Sequence, residues 1–276
     1  MANLGKYNNL TILRKTDFGF ILDGKESGDI LLPNRYVTKE MEVGQTIKVF
    51  VYLDGEERWT ATTLHPHAAA EEVARLKVNA IEKSGAFLDW GIMKDILLPF
   101  SEQKIKVEVG KSYLVYIYVD PVTERITATM KLEKFLDKTP ANYKEGEKLE
   151  GIVWTKTELG YKIILENKHT GLLYSNETFK KMFPGDKIDV WVKRIRTDGK
   201  VDLVAEPKGF KISTQAGELI LQKLKEAGGS MPVHDKTPPE VIYQQFGISK
   251  KAFKAACGQL YKARKIEITP SGIKII

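Results

Sequence analysis

Two tyrosines and a run of cations carry the clearest chemistry in this sequence, and that chemistry is recognition. Tyr161 and Tyr174 are aromatic residues that tolerate a wet surface, because one end of the ring is polar. An exposed aromatic face can stack on a base of any identity, for about 1–3 kcal/mol per base. Lys193-Arg194-Ile195-Arg196 sets three cations within four residues, suited to phosphate oxygens. Lys162 and Lys200 lie close by in the sequence. A second cationic group, Lys250, Lys251, Lys254 and Lys262, sits near the C-terminus. Lys251, Lys254, Gly258 and Lys262 follow the spacing i, i+3, i+7, i+11, one stripe of a helix. Lysines give phosphate affinity with little discrimination. Among its lysines the stripe has no Asn, Gln or Arg to read a base edge in a bidentate way, and Gln259 lies off it.

Signals for catalysis are poor, and no enzyme activity and no cofactor are expected. His65 and His67 are close together, but no carboxylate or cysteine cluster with metal-site spacing surrounds them. His169 falls in a turn and His234 in a loop. The single cysteine, Cys257, excludes an internal disulfide and suits a reducing compartment. No Gly-x-x-x-x-Gly-Lys-Ser/Thr loop is present to cradle nucleotide phosphates. The start, Met1-Ala2-Asn3-Leu4-Gly5-Lys6, has no apolar run of a secretory signal. No stretch approaches the length needed to span a bilayer. A cytoplasmic protein without membrane contact is expected.

Charge narrows the partner further. The net charge is +7 over 276 residues. Residues 1–64 carry 8 basic and 9 acidic side chains, and residues 65–135 carry 10 of each. Residues 136–213 carry 15 and 12, and residues 214–276 carry 10 and 5. The whole excess therefore lies in the C-terminal half, where a polyanion would bind.

The elements that must position these residues are announced by a repeat. From Gly85 a Leu-Leu pair begins twelve residues on, at Leu97-Leu98, and Gly110 stands twenty-five on. From Gly19 the same marks fall at Leu31-Leu32 and Gly44, and from Gly160 at Leu172-Leu173 and Gly185. Agreement at two offsets in three places predicts three copies of one small unit. In the first copy, Thr11-Ile12-Leu13, Phe18 to Leu22, Ile30-Leu31-Leu32-Pro33, Gln45 to Leu53 and Arg58 to Thr62 read as strands. Ile47, Val49 and Val51 face one way, and Lys48, Phe50 and Tyr52 the other. Five short strands in roughly 55 residues predict a small closed barrel of the OB type. Residues 65–72 and 131–148 read as linkers.

After residue 213 the period changes from two to about 3.6. Leu221, Leu224 and Ala227 suit one helix face, stopped by Gly228-Gly229. Pro238-Pro239 opens a second helix, and Ser249 caps a third, with Phe253, Ala256, Cys257 and Leu260 on its inner face. Two strands follow, Lys265 to Thr269 and Gly272 to Ile276. That order is the order of a winged helix.

The repeat resembles the ribosomal protein S-one RNA-binding domain, whose pattern runs Phe-Gly-Ala-Phe, then Gly-Leu-Val-His, then a late Arg. On that resemblance Phe18 takes the first aromatic position, with Phe20 beside Ile21 at the second. Phe87 fits the second copy, where Ser84 replaces the first aromatic. In the third copy Lys162 takes the second aromatic position. The histidine position holds Pro33, Pro99 and Tyr174, and the late arginine is represented by Arg58, Arg125 and Lys200. Phe18, Phe20 and Phe87 have two fates open to them, stacking on a base or packing inside a barrel. Three such barrels before a winged helix, with the tail Pro238 to Lys254, resemble the bacterial conserved virulence factor B family. The resemblance implies an RNA-binding regulatory protein without catalytic residues.

The expected protein is multidomain: three small all-β OB-fold barrels in tandem followed by an α/β winged-helix domain. The expected domains are 1–66, 67–136, 137–210 and 211–276. The expected partner is single-stranded RNA, mRNA included, bound chiefly by the third barrel and the winged helix. The near-neutral first two barrels are expected to act as spacers or as docking surfaces for a protein partner. The alternatives are a DNA-binding regulator working through the winged helix and a protein-interaction scaffold.

Overall fold

The glycine marks of the repeat have one physical cause. Gly19, Gly85 and Gly160 have φ of +147°, +149° and +153°. An added Cβ would stand 2.0, 2.4 and 2.1 Å from the carbonyl oxygens of Leu32, Leu98 and Leu173. At the start of each second strand the backbone thus presses directly on the third strand, and only glycine fits. Gly44, Gly110 and Gly185 take φ of +90°, +83° and +93° in the turn before the fourth strand. Their amides bond back to the first strand, at Ile12, Val78 and Val153, each at 2.8 Å.

The computed structural model describes residues 1–175, 178, 181–205 and 214–276. It divides into two compact units, Met1–Lys138 and Thr139–Ile276. The expected boundary at 210/211 lies outside the described residues.

The first unit holds two closed five-stranded barrels. One is built from β1 (Tyr7–Thr16), β2 (Gly19–Asp23), β3 (Asp29–Pro33), β4 (Thr46–Leu53) and β5 (Trp59–Thr62). The other is built from β6 (Val73–Glu82), β7 (Gly85–Leu88), β8 (Ile96–Pro99), β9 (Ser112–Val119) and β10 (Ile126–Thr129). The third and fifth strands of each barrel pair in parallel, Leu31 with Thr60 and Leu97 with Thr127, which closes the sheet. A bulge bends each first strand, between Ile12 and Arg14 and between Val78 and Ala80.

Residues 65–72 are no free linker. Ala68 and Ala70 are buried, the His67 amide donates to Trp90 O at 2.8 Å, and the Ala70 amide to Gly5 O at 2.7 Å. Phe50 points away from its own barrel core, yet it is fully buried. Its ring meets Tyr7 and Trp90 edge-on, each at 5.3 Å between centroids. The Trp90 indole donates to Ala68 O at 2.7 Å. Polar contacts ring this seam: Lys94 Nζ donates to Asp54 O at 2.7 Å, and Arg125 pairs with Glu57. Burial of such aromatic surface makes the two barrels one body. In residues 131–138, likewise, Leu132 and Leu136 are buried, and Phe135 stacks on Tyr116 at 4.4 Å.

The second unit begins with a third closed barrel: β11 (Lys148–Lys156), β12 (Gly160–Leu165), β13 (His169–Tyr174), β14 (Lys187–Ile195) and β15 (Val201–Val204). His169 is buried in β13 rather than in a turn. It accepts or donates to Tyr143 Oη at 2.8 Å and Thr139 Oγ1 at 3.1 Å, which ties residues 139–143 to the barrel.

The C-terminal part holds α1 (Thr214–Glu226), β16 (Ser230–Met231), α2 (Pro239–Phe246), α3 (Lys250–Lys262), β17 (Ile266–Thr269) and β18 (Gly272–Ile275). The short β16 joins the hairpin to give a sheet of order β16-β18-β17, an addition to the expected pair of strands. Pro239 sits in the first turn of α2, where its missing amide costs nothing, and Gly247 ends it at φ +66°. Ser249 Oγ accepts from Ala252 N at 3.1 Å and caps α3. Phe246 and Phe253 pack at 5.1 Å over a core of Ile220, Leu224, Ile242, Cys257, Leu260 and Ile266. Burial pushes the Cys257 thiol up to about 12, so it packs as an inert apolar group.

Candidate nucleic-acid interface

Strand parity decides which residues of the third barrel face outward. Tyr161, Ile163 and Leu165 alternate into the core. Lys162, Leu172 and Tyr174 therefore lie on the outer face. Parallel pairing sets Leu172 beside Asp202, and antiparallel pairing sets Arg194 beside Asp202. Three neighbouring strands thus bring Tyr174, Asp202 and Arg194 to one patch.

Asp202 is the centre of that patch, with only 2% of its side chain exposed. Arg196 donates to Oδ1 from Nε at 2.9 Å and from Nη2 at 2.6 Å. Arg194 Nε donates to Oδ2 at 2.8 Å, and the Tyr174 hydroxyl to Oδ1 at 3.3 Å. Arg196 Nη2 also donates to the Tyr174 hydroxyl oxygen. The Arg196 hydrogen bonds, supported by Arg194 and Tyr174 and opposed by burial, hold the Asp202 carboxyl down to about 2. Lys193 Nζ lies over the Tyr174 ring at 6.0 Å, and Lys162 Nζ over the Trp154 ring at 4.4 Å. The patch is an aromatic and cationic surface built on one buried acid.

The equivalent places in the other barrels are different. Asp202 corresponds by strand pairing to Thr60 and Thr127, Arg194 to Tyr52 and Tyr118, and Tyr174 to Pro33 and Pro99. Arg58 pairs with Asp54 at 2.8 Å and Glu56 at 2.9 Å, and Arg125 pairs with Glu57. Lys200 pairs with Asp198 at 3.0 Å while remaining exposed.

Two expected contact residues are corrected. Tyr161 is 6% exposed, and its hydroxyl accepts from Met182 N at 3.4 Å. Phe20 is likewise buried in the first barrel. Both follow the strand-opening glycine, as Ala86 does, and in all three barrels that position points inward. Phe18, in the turn before Gly19, is 76% exposed. Phe87 is half-buried on the outer face opposite Leu97.

Sequence reasoning missed Asp202 and Trp154. A lone carboxylate within the apolar run Val201-Asp202-Leu203-Val204 was the signal for the first. The second occupies the bulge between Val153 and Thr155.

On α3 the inner face is as expected, with Phe253, Ala256, Cys257 and Leu260 buried. Lys251, Lys254 and Lys262 are exposed and Lys250 is partly so. Lys250, Lys251, Lys254 and Ala255 line an open groove of about 510 Å³. Lys254 Nζ reaches Asp235 at 3.8 Å. Among the described residues no cluster of His, Cys, Asp or Glu has a metal-binding arrangement, and no helix is long and apolar enough to cross a membrane.

Comparison with known proteins now adds a lineage. The S1 domain model, that of the ribosomal protein S-one type, matches residues 4–64 and 72–131, and a CvfB-like winged helix domain model matches residues 218–275. Conserved virulence factor B of Staphylococcus haemolyticus is 22% identical over 281 residues, covering 99% of this chain and 94% of the relative. The chain thus carries S1 domains and a CvfB-like winged helix domain, and is similar along nearly its whole length to conserved virulence factor B. Uncharacterized protein YitL of Bacillus subtilis is 29% identical over 276 residues, covering 95% of this chain and 90% of that one. A solved structure from Streptococcus pneumoniae, described as a multidomain protein with nucleic acid binding domains, is 26% identical. It covers 99% of this chain and 98% of that chain, with a TM-score of 0.42. Both domain types matched in this chain are nucleic-acid-binding types.

Proposed function

We propose that this protein binds single-stranded RNA, chiefly through the third barrel and the winged helix, and regulates gene expression after transcription. One observation supports this reading above the others: the outer face of the third barrel presents Tyr174 among Lys193, Arg194 and Arg196. An aromatic that can stack on any base, ringed by cations for phosphates, is the chemistry of a single-strand platform. Lys162 beside Trp154 widens that platform, and Lys200 borders it. In the first two barrels Phe18 is exposed and Phe87 half-buried on the outer face, and their late arginines are already paired with carboxylates. Those barrels serve as a rigid spacer or a protein-docking body. The lysines of α3, Lys250, Lys251, Lys254 and Lys262, add phosphate contacts with little base preference. The division into domains at 66/67, 136/137 and 210/211 belongs to this reading.

The exposed stripe of α3 favours one second reading, a DNA-binding regulator. A competition shift assay on the whole chain separates the two. Labelled single-stranded RNA displaced by unlabelled single-stranded RNA, and far less by duplex DNA, supports the RNA reading. Displacement by duplex DNA at lower concentration, lost on replacing Lys251, Lys254 and Lys262 by alanine, supports the other. Sequencing RNA that co-purifies with the chain would name the target.

A further inference from the structure

An acid at the centre of a surface offered to a polyanion needs a reason. Asp202 weakens the attraction of that surface for phosphate by one charge. The barrel fold does not demand it, because the paired positions of the other two barrels hold Thr60 and Thr127. Nor is the carboxylate merely tolerated. It receives hydrogen bonds from Arg194, Arg196 and Tyr174 at 2.6 to 3.3 Å.

The consequence lies in what those three residues would do without it. Arg194 and Arg196 project from one edge and carry like charges, so they would splay into solvent. Each long side chain would then lose its rotamer freedom on being fixed by a ligand. With the acid between them, both guanidinium groups are fixed beforehand. Arg196 also holds the hydroxyl of Tyr174, which fixes the ring by its polar end. Arg194 spends Nε on the carboxylate among the described residues, leaving its terminal nitrogens for a phosphate. Rigid donors arranged before binding raise affinity by reducing the ordering cost.

We propose that Asp202 is a positioning residue of the interface, fixing Arg194, Arg196 and the Tyr174 ring in the arrangement that single-stranded RNA meets. This rests on the RNA-binding reading and adds to it how the third barrel differs from the other two. Charge and geometry predict opposite signs here, which makes the idea easy to break. If cations act only by number, Asp202→Asn removes a negative charge and RNA binds more tightly. If Asp202 positions them, the variant binds more weakly although it has become more basic.

The test uses the full chain and fluorescein-labelled oligouridylate and oligoadenylate of about 12 nucleotides, a length within the span of one OB fold. Binding is followed by anisotropy at neutral pH, with far-UV circular dichroism confirming the fold in the same buffer. Asp202→Asn is expected to weaken binding about tenfold, the scale of hydrogen bonds to a charged group. Arg196→Lys keeps the charge and loses the fork, and is expected to weaken binding comparably. Tyr174→Phe keeps the ring and frees its end, and is expected to weaken binding severalfold. Should Asp202→Asn fail to fold, the other two variants decide the matter. Binding as tight as, or tighter than, that of the unaltered chain in Asp202→Asn, or in both other variants where Asp202→Asn does not fold, overturns the positioning role. An unaltered chain that retains neither oligonucleotide overturns the RNA reading itself, and the positioning role with it.

Discussion

Asp202 can also be tested through stability alone, with no ligand present. Its carboxyl is held at about 2 in the folded chain, chiefly by hydrogen bonds from Arg196, against an ordinary 3.8. A lowered folded-state value means that the native protein gives up this proton more readily than the unfolded chain does. The ionised group therefore stabilises the fold above the ordinary carboxylate range, and that contribution is lost as pH falls from about 4 to about 2. A gap of nearly two pH units, at about 1.4 kcal/mol each, amounts to roughly 2 kcal/mol at neutral pH. Asp202→Asn should lower stability by that amount near neutrality and by almost nothing near pH 2. Urea denaturation followed by tryptophan fluorescence measures it. With Trp59 and Trp90 replaced by phenylalanine, the remaining Trp154 and Trp191 report on the third barrel. A stability loss that stays constant as the solution is acidified would place the effect in packing and refute the ionic account. So would no loss at any pH.

The two tyrosines should part company. Tyr174→Ala should weaken RNA binding by about 1–3 kcal/mol with little loss of stability, whereas Tyr161→Ala should destabilise the barrel by about 3–5 kcal/mol; anisotropy and urea melts distinguish them. Replacing Lys193, Arg194 and Arg196 together by alanine should flatten the log–log salt dependence of binding, by about 0.7 for each phosphate no longer neutralised. An unchanged slope would move the phosphate path elsewhere. Phe50→Ala should cost the first unit about 3–5 kcal/mol, by opening a cavity between Tyr7 and Trp90. By calorimetry the unaltered unit is expected to unfold in one transition and the variant in two.

Much of the architecture was legible because its causes are local. Gly19, Gly85 and Gly160 are required by backbone angle and by close approach to the next strand, so they recur at fixed spacing. The inner face of α3 follows from helical period alone. Parity was harder. Whether the residue after such a glycine points in or out depends on how the barrel closes, and Tyr161 and Phe20 turned inward. Residues 65–72 looked like a linker because small and polar side chains say nothing about a neighbour. The neighbour, with Trp90 and Phe50, made them part of a seam.

The sequence by itself determined three glycine-marked barrels, a winged tail and a cationic C-terminal half, since dihedral preference, periodicity and charge belong to individual residues. Only the tertiary structure decided that Asp202, and not Tyr161, sits with Tyr174 and the two arginines. That choice depends on β13, β14 and β15 lying side by side, a pairing made when the sheet closes on itself and written in no single stretch of chain.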